Sequence, residues 1–145
     1  MNRDFVEMLS ALSEAGAEFL VIGAHALAAH GTPRATGDLD IWINPTPDNA
    51  ARVMTALRAF GAPLSNLTTD DLVTPGLIFQ IGVVPSRVDI LTTISGVAFA
   101  DAWTRRMVLT IEGVEVAVLS RADFVLNKRA SGRPKDRIDL ELLGE

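Results

Sequence analysis

GTPRATGDLDIWI, residues 31–43, is the stretch on which the reading of this chain turns. Its second half, DLDIWI, alternates polar and apolar residues with the period of a strand that has one buried face. Side chains at i and i+2 share a face, so Asp38 and Asp40 point the same way. Strand rise puts their backbones about 6–7 Å apart, and their carboxylates can converge on one cation. Left alone, the pair would repel and one member would tend to stay protonated. A divalent ion removes that cost. Leu39, Ile41 and Ile43 point to the opposite face, into a core, which leaves the acidic side open. Asn44-Pro45 ends the strand.

A second acidic strand lies downstream. In Arg87–Leu91 (RVDIL), Val88 and Ile90 flank Asp89 on the opposite face. If this strand lies beside the first, Asp89 joins Asp38 and Asp40 in an oxygen cage for one or two magnesium ions. The bland alternative is that an isolated Asp-x-Asp marks only the exposed side of an amphipathic strand. Arginine and packed side chains filling the space between the acids would overturn the enzymatic reading and leave a plain folded domain.

Upstream, Glu18–Ile22 (EFLVI) reads as a short apolar strand. Gly23 follows and opens AHALAAH, a short helix closed by Gly31. A glycine at such a turn lets the backbone approach a ligand closely, and a helix N-terminus offers free N–H groups to phosphate. Many strand–helix turns contain glycine, so the feature gains weight only beside the acidic strands.

The remaining elements follow from periodicity and punctuation. Residues 2–15 form an amphipathic helix on Phe5, Met8, Leu9 and Leu12, ended by Gly16. Thr46 caps a helix that starts at Pro47 and runs to Gly61. Residues 63–76 have no period and read as a loop. Leu77–Ile81 pairs with Arg87–Leu91 around a turn, and Val97–Arg105 forms a short helix. Met107–Ile111 and Val114–Val118 flank Glu112-Gly113, a hairpin signal. Ser120 with Asp123 resembles a capping box opening a helix to about Ala130. Ser131-Gly132 breaks that helix, and Pro134 starts the last one. The chain of 145 residues reads as one domain, 1–145, of the α+β class, with a mixed sheet flanked by helices.

Composition narrows the chemistry. Without cysteine there is no disulfide, thiolate nucleophile or cysteine zinc site, and with two histidines a histidine-rich metal centre is disfavoured. Metal ligands would therefore be oxygens, which favour magnesium, manganese or calcium. A net charge of -5 argues against a broad surface for long nucleic acid. A local basic stretch at residues 121–137 could still hold phosphates. No apolar run approaches the roughly 18–20 residues of a membrane span, and the chain reads as cytoplasmic.

Taken together, VIGAHALAAHGTPRATGDLDI and RVDIL resemble the nucleotidyltransferase superfamily that shares its fold with DNA polymerase beta. More closely, nearly the whole chain is similar to small bacterial nucleotidyltransferases related to AbiEii-type toxins and the DUF6036 group. The motifs that carry the likeness are His30-Gly31 through Arg34, Thr36, Asp38 and Asp40, and Lys128 followed by Gly132-Arg133-Pro134-Lys135-Asp136-Arg137-Ile138-Asp139. The resemblance implies a polymerase beta-like fold with Gly23 under a triphosphate and Asp38 and Asp40 as metal ligands. Asp89 would be the third acid and candidate general base. It also implies two magnesium ions, an NTP substrate, an RNA or protein acceptor and a possible antitoxin partner. One departure stands out. The second residue of the glycine turn, normally Gly or Ser, is Ala24, which has no hydroxyl for a phosphate oxygen.

Other residues carry weaker signals. Arg34 and Thr36 could serve the nucleotide or simply brace the loop. Lys128 and Lys135 could reach the triphosphate or lie on a solvated helix face. Asp136 reads mainly as a first-turn acid favouring the last helix. His25, His30, Trp42 and Trp103 read as structural, and Asp70 and Asp71 as solvated. The leading expectation is transfer of an NMP from an NTP to a hydroxyl. Its rival is a non-catalytic nucleotide-binding or interaction module, which Ala24 and the small size support.

Overall fold

The computed structural model describes residues 1–33 and 36–145. In chain order its elements are α1 (Arg3–Glu14), β1 (Phe19–Ile22), α2 (Gly23–Ala29), β2 (Asp38–Ile43), α3 (Pro47–Phe60), β3 (Ile78–Ile81), β4 (Arg87–Leu91), α4 (Phe99–Thr104), β5 (Met107–Ile111), β6 (Val114–Val118), α5 (Arg121–Ser131) and α6 (Pro134–Leu142). The strands make one mixed sheet in the order β3-β4-β2-β1-β6-β5. β1 runs antiparallel to β2 and parallel to β6, and β2 runs parallel to β4. The two edge strands pair antiparallel with their neighbours. The α+β mixed sheet expected from the sequence is the observed architecture.

Local chemistry explains why these segments form. The Asn2 side chain caps α1 by accepting from the Asp4 N–H at 2.8 Å, and Phe5, Met8, Leu9 and Leu12 line its buried stripe. Thr46 caps α3 by accepting from the Asn49 N–H, and Gly61 ends it in the left-handed conformation. Each fully buried aliphatic side chain of this kind contributes about 1.5–3 kcal/mol. Between β5 and β6, Glu112 and Gly113 both have positive φ, as a two-residue hairpin turn requires. Asn49, almost fully buried, bonds the Glu18 backbone and the Asn44 carbonyl, and so pins the adjacent ends of β1 and β2.

Two expectations needed correction. Residues 63–76 contain a single 3-10 turn, Asp71–Val73, which Thr68 and Asp71 stabilise by exchanging side-chain-to-backbone hydrogen bonds. One turn is too short to leave a hydrophobic period, although Leu72 is fully buried within it. The acidic side of β2 is also less open than alternation suggests. Trp42, two residues after Asp40, is buried edge-on against Phe99 of α4, and its Nε1 donates to the Thr92 carbonyl. The start of β2, at Asp38 and Asp40, keeps partial exposure.

Candidate functional site

Strand register builds the site. In the parallel β2–β4 pair, Asp38 stands opposite Arg87 and Asp40 opposite Asp89. In the antiparallel β1–β2 pair, Ile22 stands opposite Asp40, which places the turn at Gly23 beside that carboxylate. Cross-strand partners share a face, so Asp38, Asp40, Arg87 and Asp89 all project to one side. One carboxylate oxygen from each of the three aspartates lies within 4.8 Å of the other two. Asp38 and Asp40 are half-buried and Asp89 is buried.

These acids form the floor of a cleft of about 630 Å³. Ile22, Gly23 and Ala24 form one side. Ile78 and Gln80 of β3, with Leu91 and residues 93–95 after β4, form another. Asn127, Lys128 and Ser131 of α5, with Arg133 and Lys135 at the start of α6, form the third.

Gly23 has φ +66, a left-handed value that favours glycine. A Cβ there would also stand 3.1 Å from Asp40 Cγ and overlap its Oδ2. The glycine is therefore needed for close packing of the acid, as well as for any approach of a ligand to the backbone.

The charged groups of the cluster act on one another. Burial pushes the Asp40 carboxyl up to about 6, and the neighbouring charges of Asp89 and Asp38 push the same way, partly offset by Lys135. The Arg87 Nη2 donates to Asp38 Oδ2 at 2.7 Å, while its Nε lies 3.1 Å from Asp89 Oδ1. The second oxygen of Asp38 is buried with no hydrogen-bond partner among the described residues. Three convergent carboxylates are an all-oxygen donor set that fits a hard divalent cation. Asp38, Asp40 and Asp89 are the residues that would hold it. Arg87 meets part of the condition set against this reading, because it does occupy the Asp38–Asp89 side. Among the described residues, Asp38, Asp40 and Asp89 all still line the cleft.

The structure distributes the other sequence candidates unevenly. Ala24, Thr36, Lys128 and Lys135 all line the cleft. The Thr36 hydroxyl is turned to the Asp38 backbone, accepting from its N–H at 3.1 Å and so fixing the start of β2. Lys128 is buried, with its Nζ 3.3 Å from Asp136 Oδ1 and 3.6 Å from Asp139 Oδ2. Lys135 has no ion pair among the described residues. Arg34 lies outside the described residues. Asp70 and Asp71 do not line the cleft.

Asp136 does more than favour a helix start. It is fully buried and also accepts from the Arg133 guanidinium and backbone N–H. Burial works against its charge, but bonds from Arg133 and Ser131 and the nearby Lys128 ammonium hold its carboxyl well below the usual range. The expected box at α5 is only half made. Ser120 accepts from the Asp123 N–H, while the Asp123 carboxylate takes a two-pronged bond from Arg105.

The histidines and tryptophans behave as structural residues. His30 Nε2 lies 2.8 Å from the Leu119 carbonyl, and His25 packs against the edge of Phe5. Burial lowers the His25 pKa, opposed by a hydrogen bond with the Asp38 backbone. Trp103 stacks on Phe99 beneath Arg106. The residue that sequence reasoning missed is Arg87. Its signal was present: it lies two positions before Asp89 and so shares its face.

With this geometry in view, comparison with known proteins is informative. A family model described as a nucleotidyltransferase of unknown function, DUF6036, matches residues 3–143. A candidate nucleotidyltransferase from Thermotoga maritima superposes with a TM-score of 0.60 at 15% identity, covering 98% of this chain and 89% of that one. An antigenic nucleotidyltransferase-like protein from Paracoccidioides brasiliensis gives a TM-score of 0.49 at 16% identity, covering 97% and 72%. No curated protein matches the sequence. The first superposition extends the likeness to the fold, and the family match spans nearly the whole chain, acidic strands and basic helix start included: this chain belongs to the DUF6036 family of nucleotidyltransferases.

Proposed function

We propose that this chain catalyses transfer of a nucleoside monophosphate from an NTP to a hydroxyl acceptor, with magnesium held by Asp38, Asp40 and Asp89. The observation that carries the reading is the convergence of three carboxylates from β2 and β4 within 4.8 Å, beside the Gly23 turn, in a nucleotidyltransferase family. Bound there, magnesium supplies charge neutralisation for the triphosphate and lowers the barrier to attack at phosphorus.

The chain's own residues do the rest. The backbone at Gly23 and Ala24 borders the cleft, and so offers main-chain contacts where a triphosphate would lie. Lys135, which has no ion pair among the described residues, contributes an ammonium for the β- and γ-phosphates. Asp89, on the β3 side, accepts the proton of the incoming hydroxyl. The acceptor oxygen then bonds to the α-phosphorus, the bond to the β-phosphate bridging oxygen breaks, and pyrophosphate leaves. Positioning and charge account for most of such a step.

An acceptor that is an RNA end or a protein side chain, and regulation by a partner protein, are compatible with this chemistry. A non-catalytic nucleotide-binding module is the second reading. Ala24 and the Arg87 bridge both favour it. Pyrophosphate release separates the two. The enzyme reading expects magnesium-dependent release from an NTP in the presence of a competent hydroxyl acceptor, lost in Asp38→Asn and Asp89→Asn. Nucleotide binding with no release under a broad acceptor panel would select the module.

A further inference from the structure

Arg87 is the least expected member of the cluster. It projects from β4 in register with Asp38, and its guanidinium spans Asp38 Oδ2 at 2.7 Å and Asp89 Oδ1 at 3.1 Å. Two of the three carboxylates that would ligate a cation are therefore already paired. The Arg87 and Asp38 side chains each retain about 30% exposure, so the ion pair sits at the surface and is not sealed in the core. A long, flexible side chain of this kind is an exchangeable counter-ion, unlike the buried Lys128.

We infer that Arg87 is a resident cation that blocks the acidic cluster against free divalent ions, so that metal loads together with the triphosphate rather than ahead of it. The inference rests on the metal-site reading above and adds an order of binding to it. A free divalent ion meets three carboxylates, but it must compete with a guanidinium already held by two of them. An ion carried on a triphosphate arrives still net negative, and its phosphate oxygens offer the displaced guanidinium a new partner. The cluster without ligand is thereby kept from uncompensated repulsion, since like carboxylates at this separation cannot all ionise cheaply.

The test is calorimetric titration of the full chain with manganese alone and with manganese plus a non-hydrolysable NTP. Arg87→Gln removes the charge, and Arg87→Lys keeps the charge but loses the two-pronged span. Without nucleotide, the wild type should bind manganese at least about ten-fold more weakly than Arg87→Gln, with Arg87→Lys in between. Adding Asp38→Asn to Arg87→Gln should abolish the gain. A folded Arg87→Gln or Arg87→Lys protein that binds manganese no more tightly than wild type overturns the inference, as does a gain that survives Asp38→Asn. If manganese binds the wild type with nucleotide but neither variant gains affinity without it, the inference alone fails. If manganese binds in no condition, the metal site falls and takes the inference with it.

Discussion

The Cα of Gly23 lies directly against the carboxylate of Asp40, so close that a Cβ on Gly23 would overlap Asp40 Oδ2. The strand-to-helix turn and the metal-ligand candidate are thus one packed unit. Its register comes from Ile22 pairing with Asp40 across β1 and β2. Gly23→Ala should consequently lower stability by about 1–3 kcal/mol, from the left-handed backbone and the overlap together. The same change should displace Asp40 and remove pyrophosphate release. Thermal unfolding and a pyrophosphate assay read the two effects. An alanine variant with wild-type stability and turnover contradicts the packing argument.

Asp40 makes the stability of the metal-free chain depend on pH. Its carboxyl titrates near about 6 in the folded chain against 3.8 for an ordinary aspartate. Between those values the folded state holds the extra proton. Stability therefore falls as pH rises from about 4 through 6 and stays lower above that window. The full loss is up to about 3 kcal/mol before solvent screening reduces it. Asp40→Asn should flatten this slope and make the metal-free chain more stable at pH 7, as chemical denaturation across that range will show.

Lys128 and Lys135, equal candidates by sequence, should part company on substitution. Lys128→Met leaves Asp136 and Asp139 buried beside an uncharged side chain and should cost about 3–5 kcal/mol, or prevent folding. Lys135→Met removes no ion pair among the described residues and should shift stability by less than about 0.5 kcal/mol. Its effect should fall on the NTP, raising KM roughly ten-fold. Unfolding curves and steady-state kinetics on the two variants distinguish the roles.

Much of this arrangement was legible from short-range pattern. Alternation in DLDIWI and RVDIL gave the faces of Asp38, Asp40 and Asp89, and the Glu112-Gly113 pair gave the hairpin, because these signals depend on neighbours two or three residues away. What escaped depended on distant pairing. The charge on Lys128 is absorbed by Asp136 and Asp139 across the α5–α6 break. Gly23 looked like a ligand turn, and only the β1–β2 register reveals that Asp40 also demands it. Arg87 shared a face with Asp89 from the start, but its bond to Asp38 appears only once β2 and β4 are seen to run parallel in register.

The central claim is that Asp38, Asp40 and Asp89 share a divalent cation when nucleotide is bound. Anomalous diffraction from crystals grown with manganese and a non-hydrolysable NTP tests it most directly. The account predicts a manganese peak bonded at about 2.1 Å to oxygens of these aspartates and to the triphosphate, with Arg87 moved off Asp38. A nucleotide bound with Arg87 still bridging Asp38 and Asp89, and no manganese between the acids, would contradict it.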